Sequence, residues 1–342
     1  MKKPPRLPNQ KDVAALAGVS QPVVSAVLTG RKSTIVVSEE ARGRVLDAVR
    51  KLGYKPNRMA RSLQASRFFN IGYFVVSSEE NDFDFEGYRK GIFDAANSVD
   101  YHVVLVRQPY KASSGSPTIP RVFREGHLDA LIIHHMKDMP HDLVKAVDTS
   151  GLPVAFLNEQ RPFNAVYVDE AFAMELVVNH LAERNYHKLA FFKPRQAKGH
   201  YSLAERESGL RMAARVRGLS VEVIKYAEES IFSDVSCLLR PDRPEAVVCY
   251  NDDSALQLQK GLYNTGVVLG KDLAVVGCNG DDSIKHFVLP LTTVAIPRYD
   301  MGVAVTELAL KRFDLDHMAT ELPSVVVKPS LVIGESTPQR VG

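Results

Sequence analysis

"KDVAALAGVSQPVVSAVLTG", residues 11–30, sets two short apolar-periodic segments around Gly18 and Ser20 and stops at Gly30. Asn9 is a suitable N-cap for a first helix to about Ala17 that buries Val13, Ala14 and either Leu16 or Ala17, and Gly18 supplies the turn. Ser20 caps a second helix, in which Val24, Val27 and Leu28 fall at i, i+3 and i+4. That narrow stripe leaves Gln21, Pro22, Ser25, Ala26 and Thr29 on the outer face. Pro22 lies in the first turn, where its missing N–H does little harm. A third helix starts at the cap Ser38, carries Ala41, Val45, Leu46, Val49 and Leu52 on one face, and ends at Gly53. Such short helices are marginal alone, but three of them can bury a shared core. A helix, a tight glycine turn and a second helix with small outer residues form the helix-turn-helix pattern, whose second helix enters the DNA major groove.

The charge distribution points the same way. Residues 1–67 hold fourteen Lys or Arg against four Asp or Glu, a balance of +10, within a chain whose net charge is +3. The remainder is therefore acidic, at −7. A basic head on an acidic body is suited to a polyanion, because neutralising phosphates supplies much of nucleic-acid affinity.

At 342 residues and 45% hydrophobic, the chain can build one large or several ordinary cores. No run approaches a membrane span, and "MKKPPRLPNQ" has no apolar stretch behind its lysines, so a cytoplasmic protein without membrane association is expected. Cys237, Cys249 and Cys278 form no CxxC pair and sit in apolar contexts, as expected of buried thiols rather than disulfides or metal ligands.

Beyond the head, "LGYKPNRMARSLQASR" (52–67) is a linker in which Asn57 follows Pro56 and Leu63 stands among arginines 58, 61 and 67. The body then alternates apolar runs with helix-period stretches: 70–76, 102–106, 129–135, 153–158, 188–192, 221–227, 245–250 and 273–278. Repeated βα units imply parallel sheets covered by helices. A body of about 260 residues is large for one such sheet, so two similar subdomains are expected. The break is expected near "AVYVDEAFAMELVVNHL" (165–181), where Asp169 follows one strand and precedes a long helix.

The segments "DVAALAGVSQPVVSAVL", "VSEEARGRVLDAVRKLGYKPNRMARSL", "CYNDDSALQL" and "LAVVGCNGDD…PLTTV" together resemble the lac-repressor-type (LacI/GalR) bacterial transcription regulators over essentially the whole chain. The resemblance implies an α/β architecture: a small all-α helix-turn-helix head and a two-subdomain, doubly wound parallel-sheet body like that of periplasmic sugar-binding proteins. The divisions expected are 1–55 for the DNA-binding head, 56–69 for a hinge helix, and 70–342 for an effector-binding and dimerisation domain. The body would cross three times between a first subdomain (70–164 and 295–330) and a second (165–294). It further implies a homodimer on a near-palindromic double-stranded operator, with a hinge leucine from each chain wedged into the central base step. Here that leucine is Leu63, with Asn57, Arg58 and Ala60 beside it on the groove side.

Departures from the family pattern shape the expected contacts. Ala26 stands where such proteins often present an arginine, which removes a bidentate guanine contact worth about 1–3 kcal/mol of discrimination. Base reading then falls to Gln21, suited to adenine edges, and to apolar contact of Pro22 and Ala26 with thymine methyls. Ser20, Ser25, Thr29 and Arg31 are candidate phosphate contacts.

In the body, residues just after strands are candidates for an effector cleft, because open α/β sheets bind ligands outside the carboxyl ends of their strands. These are Ser77, Phe85, Asp169, Arg206, Asn251 and Asn279. An arginine with carboxylates and amides suits the hydroxyls of a sugar or related metabolite. Asn279 stands where an aspartate is frequent in the family, and Asp169 is by type also a helix cap. An enzyme is not expected. "NDD" and "GDD" have no accompanying histidine or metal-ligand spacing, "HH" at 134–135 points to opposite faces of a strand, and phosphate loops and nucleophile elbows are missing. No cofactor or metal is called for. The tail "GESTPQRVG" lacks leucine heptads, so a dimer rather than a zippered tetramer is expected. The competing possibility is a small-molecule sensor without direct DNA regulation, against which the basic helical head counts.

Overall fold

Asn9 closes a reciprocal cap at the start of the chain's first helix. Its side chain accepts from the Lys11 and Asp12 N–H groups at 2.9 and 3.2 Å, and its own N–H donates to the Asp12 carboxylate at 2.8 Å. Helix α1 (Gln10–Ala17) then ends on Gly18, whose φ of 62° is open to glycine at little cost. Helix α2 (Gln21–Thr29) and helix α3 (Glu39–Leu52), capped by Ser38, complete the head. Val13, Ala14, Ala17, Val24, Val27, Val45, Ala48 and Tyr54 form its core. Ala17 rather than Leu16 is buried, and Leu46, expected inside, is 42% exposed while Ala48 replaces it. The three-residue step from Val45 to Ala48 keeps to the buried face, whereas Leu46 lies about 100° around the helix.

This computed structural model describes residues 6, 8–29, 35–55, 62, 65–77, 86–109, 127–135, 145, 147, 149–195, 200–315 and 320–340. Arg31, Asn57, Arg58, Ala60, Leu63 and Phe85 lie outside them, as do the side chains of Thr29 and Ser77. The chain divides into two units, residues 1–68 and 69–342.

The second unit is α/β and contains two six-stranded sheets. The first comprises β1 (Asn70–Ser77), β2 (His102–Pro109), β3 (Ala130–His135), β4 (Val154–Leu157), β5 (Ala165–Val168) and β11 (Val325–Val327), all paired in parallel in the order 11-5-4-3-1-2. The second comprises β6 (Lys188–Pro194), β7 (Ser220–Tyr226), β8 (Ala246–Cys249), β9 (Ala274–Asn279), β10 (Thr292–Ala295) and β12 (Ser330–Val332), in the order 12-10-9-8-6-7. Only β12 is antiparallel to its neighbour there. Strands such as "ALIIHH" are buried along their whole length, as a doubly covered parallel strand requires.

The subdomain boundary expected at 164/165 is displaced. Residues 165–168 pair with β4, Phe156 opposite Ala165 and Leu157 opposite Val166, and so belong to the first sheet. Their short apolar run extends that core, and the chain crosses only at Asp169. It returns through residues 296–297 and crosses a third time between β11 and β12.

The first sheet is covered in part by α4 (Glu86–Ser98) and, after α5 (Glu170–Glu183), α6 (Tyr201–Val216), α7 (Ile231–Asp234) and α8 (Asp252–Gly261) of the other subdomain, by α9 (Arg298–Asp314). Helices α4 and α9 meet backbone to backbone. A Cβ at Gly91 would lie 2.1 Å from the Tyr299 carbonyl oxygen, and one at Gly302 2.4 Å from that of Tyr88. In the second sheet Cys278 and Cys249 belong to the cores on opposite faces, and all three cysteines are free thiols.

Candidate functional site

Both sheets reverse their strand order between the first and third strands, which places a topological switch point at the ends of β1 and β3 and again at those of β6 and β8. Polar residues collect there. Asp169 follows β5 and accepts from the Phe172 N–H at 2.9 Å, capping α5. Beside it, Glu170 is buried and grips Arg206 of α6 in two parallel hydrogen bonds, from Nε at 2.7 Å and Nη2 at 2.9 Å. Arg206 Nη1 donates to the Tyr250 carbonyl at 2.6 Å. The next residue, Asn251, caps α8 by accepting from the Ser254 N–H at 2.8 Å and the Ser254 hydroxyl at 2.6 Å. Asp169 and Asn251 thus flank, in sequence, the two residues that Arg206 grips.

Asn279 joins through the loop after β9. It holds φ at 109°, a left-handed value that asparagine adopts more readily than most side chains, and its Nδ2 donates to Asp281 at 3.0 Å. Its carbonyl accepts from Arg298 Nη1 at 2.9 Å, and Arg298 Nη2 pairs with the Asp281 carboxylate. The Asp281 N–H in turn donates to Asp252 at 2.7 Å, beside Asn251. Four of the expected effector residues therefore lie in separate hydrogen-bonded groups that neighbour one another along the chain, at 169–170, 250–251 and 251–252; Ser77 ends β1 of the opposite sheet.

The first subdomain supplies partners the sequence did not single out. The Tyr73 hydroxyl and His134 Nδ1 share a hydrogen bond of 2.9 Å, and Tyr88 packs edge-on to His134 with ring centroids 5.0 Å apart. Burial, with help from the charges of His200, His135 and Arg298, pushes the His134 pKa down to about 3. Burial also lifts the Tyr88 phenol to about 12, modulated by Arg298, Asp281, Glu170 and Arg206. Across the subdomains, His200 Nε2 meets the Asn158 carbonyl at 3.1 Å, and the Tyr201 hydroxyl donates to Asn158 Oδ1 at 3.3 Å while accepting the Val168 N–H at 3.1 Å. Burial pushes His200 down to about 4. Position just past a strand end would have flagged Asn158 and Glu170; Arg298, three residues beyond β10, carries no such signal.

In the head, Ser20, Gln21 and Pro22 are exposed and Ser25 and Ala26 half-exposed, while Val24 and Val27 face the core. The Ser20 carbonyl accepts the Val23 and Val24 N–H groups. Arg44 of α3 donates Nε to the Ala17 carbonyl at 3.1 Å, tying α3 to the end of α1. Among the described residues no helix is long and apolar enough to cross a membrane, and no cluster of His, Cys, Asp or Glu could hold a metal.

Residues 10–57 match the family described as bacterial regulatory proteins, lacI family, and residues 178–337 match a periplasmic binding protein-like domain. The chain is 28% identical to the HTH-type transcriptional regulator RegA of Clostridium saccharobutylicum, over 96% of this chain and 98% of that one. It is 27% identical to the HTH-type transcriptional repressor PurR of Vibrio atlanticus (strain LGP32), over 90% and 92%. Among solved structures, a lac repressor dimer bound to operator and the anti-inducer ONPF superposes with a TM-score of 0.72 at 21% identity, covering 97% of this chain and all (100%) of that one. A complex of the transcriptional regulator CelR with cellobiose gives 0.65 at 24%, covering 96% and 99%. The chain thus joins a head of the lacI family of bacterial regulatory proteins to a periplasmic binding protein-like body, and HTH-type transcriptional regulators such as RegA and PurR align with both over nearly their full length.

Proposed function

We propose that this chain is a sequence-specific DNA-binding transcriptional regulator, a repressor that works in the cytoplasm as a homodimer and whose operator affinity is set by a small-molecule effector in the body's cleft. The observation that carries it is the coexistence, in one chain, of an exposed Gln21–Pro22 face on a basic helix-turn-helix and a gathering of polar residues at the carboxyl ends of the strands of two doubly wound sheets. The matched relatives are transcriptional regulators rather than enzymes.

In the head, Ser20, Ser25, Thr29 and Arg31 position the phosphates and Gln21, Pro22 and Ala26 meet base edges. Asn57, Arg58 and Ala60 face the minor groove, and Leu63 wedges the central step. Ser77, Phe85, Asp169, Arg206, Asn251 and Asn279 surround a sugar or related metabolite. An effector shifts the balance between two subdomain arrangements only by binding one of them better.

Selection from random duplexes at fixed, near-physiological salt, with wild type and Leu63→Ala in parallel, tests this. Enrichment of a near-palindrome that the variant fails to hold supports the proposal. Binding that is salt-sensitive but enriches no sequence overturns it.

A further inference from the structure

Among the described residues, the cations beside these strand ends are each held by a carboxylate of the same chain. At the carboxyl ends of the second sheet's strands and on the helices beside them, Lys193 pairs with Glu207 at 2.5 Å, Arg195 with Asp234 at 2.5 Å, Arg206 with Glu170 at 2.7 Å, and Arg298 with Asp281. The Arg206–Glu170 pair stands apart by its burial, with side chains 3% and 2% exposed. Two buried charges are tolerated only when each satisfies the other, and the bidentate geometry does that. Three of the five Arg206 N–H groups are thereby engaged among the described residues, two by Glu170 and one by the Tyr250 carbonyl. The imidazoles do not add positive charge either, since burial holds both His134 and His200 in the neutral form at pH 7.

We infer that Glu170 is the specificity-determining residue of the cleft: its carboxylate occupies the place that an anionic group of a ligand would take on Arg206, so the effector is an uncharged molecule held by hydrogen bonds. Placing a fixed like charge where the wrong ligand's charge would go is discrimination by exclusion. A phosphorylated or carboxylated metabolite would have to displace Glu170 from a bidentate, dehydrated contact. A hydroxyl needs only the donors and acceptors left over. This role holds only if the cleft is an effector site, as proposed above.

Scanning calorimetry of the full chain at constant ionic strength tests it, with acetate and inorganic phosphate as probes and acetamide and chloride as controls. Glu170→Ala opens a carboxylate-sized space on Arg206. Its melting temperature is expected to rise saturably, by about 2–4 °C, with acetate but not with acetamide. That rise is expected to vanish in Glu170→Ala/Arg206→Gln, a pattern that loss of packing alone would not produce. Should Glu170→Ala fail to fold, Glu170→Ser opens nearly the same space while keeping one polar group, and acetate provides the same readout. Wild type is expected to show no phosphate shift that Arg206→Gln removes, which separates the cleft from phosphate binding by the basic head. The inference is overturned if wild type shows such an Arg206-dependent shift, or if the folded Glu170 variant shows no anion-selective response. Operator selection by wild type separates the two proposals: its failure sinks the regulator, whereas an Arg206-dependent phosphate shift in a chain that still selects its operator sinks only the role of Glu170.

Discussion

The Thr293 hydroxyl donates to Asp252 Oδ1 at 2.7 Å, with both side chains sealed from water, while the Asp281 N–H satisfies the other carboxylate oxygen at 2.7 Å. The bond joins the first turn of α8 to the strand that leads into the crossing at residues 296–297. Burial lifts the Asp252 pKa from 3.8 to about 7, the nearby Asp281 charge adds to the rise, and Arg206 opposes it. The folded state therefore binds this proton more tightly than the unfolded chain does. Its contribution is fully present below pH 3.8 and is lost as pH climbs through about 7. Asp252→Asn, which keeps an acceptor for the Asp281 N–H and can donate to Thr293, should gain stability relative to wild type between pH 5 and 8. Parallel melting curves across that range check it; a constant difference in melting temperature would rule out the titration.

Helices α4 and α9 approach too closely for even a methyl group at their crossing. Gly91→Ala, whose Cβ would fall 2.1 Å from the Tyr299 carbonyl, should lower stability by about 1–3 kcal/mol. An unchanged urea midpoint would show that the crossing yields without strain.

Removing one member of the buried pair leaves the other charged and alone. Arg206→Met should cost about 3–5 kcal/mol, and Glu170→Met/Arg206→Met should recover much of that loss, because a well-packed apolar pair is often as stable as a buried ion pair. A double-mutant cycle by denaturant unfolding reads the coupling directly; additive losses would contradict it.

Gln21 is the exposed side chain at the start of α2 with the donor and acceptor set that suits an adenine edge. Gln21→Ala should relax preference at one base pair in each half-site by about 1–3 kcal/mol while leaving the salt slope unchanged. Competition binding against single-base operator variants decides it, and an equal loss on every variant would make Gln21 a phosphate contact instead.

How legible this was in the sequence differed from element to element. The caps Asn9 and Ser38 and the stripe of Val24 and Val27 are local features, and the head follows them closely. The long parallel strands announce themselves as apolar runs. β10, β11 and β12 are three or four residues long and carry little periodicity, so their sheet membership is fixed by pairing with distant strands. The displaced boundary at 165–168 has the same origin. At the strand ends, Arg206 was readable as a residue type in a suitable place, but its partner lies 36 positions away. Contacts such as Tyr201 to Asn158 depend on how the two subdomains meet, which local sequence does not encode.

The three passages between the sheets, after β5, after β10 and between β11 and β12, have a mechanical meaning. A lobe hung on a single strand could swivel freely or be severed by one cut. A lobe hung on three side-by-side strands behaves like a door on three hinges: it turns about one shared axis, and all three must flex together. A proteolytic nick at any one passage leaves two intact, so the lobes should stay joined and continue to open and close as a pair.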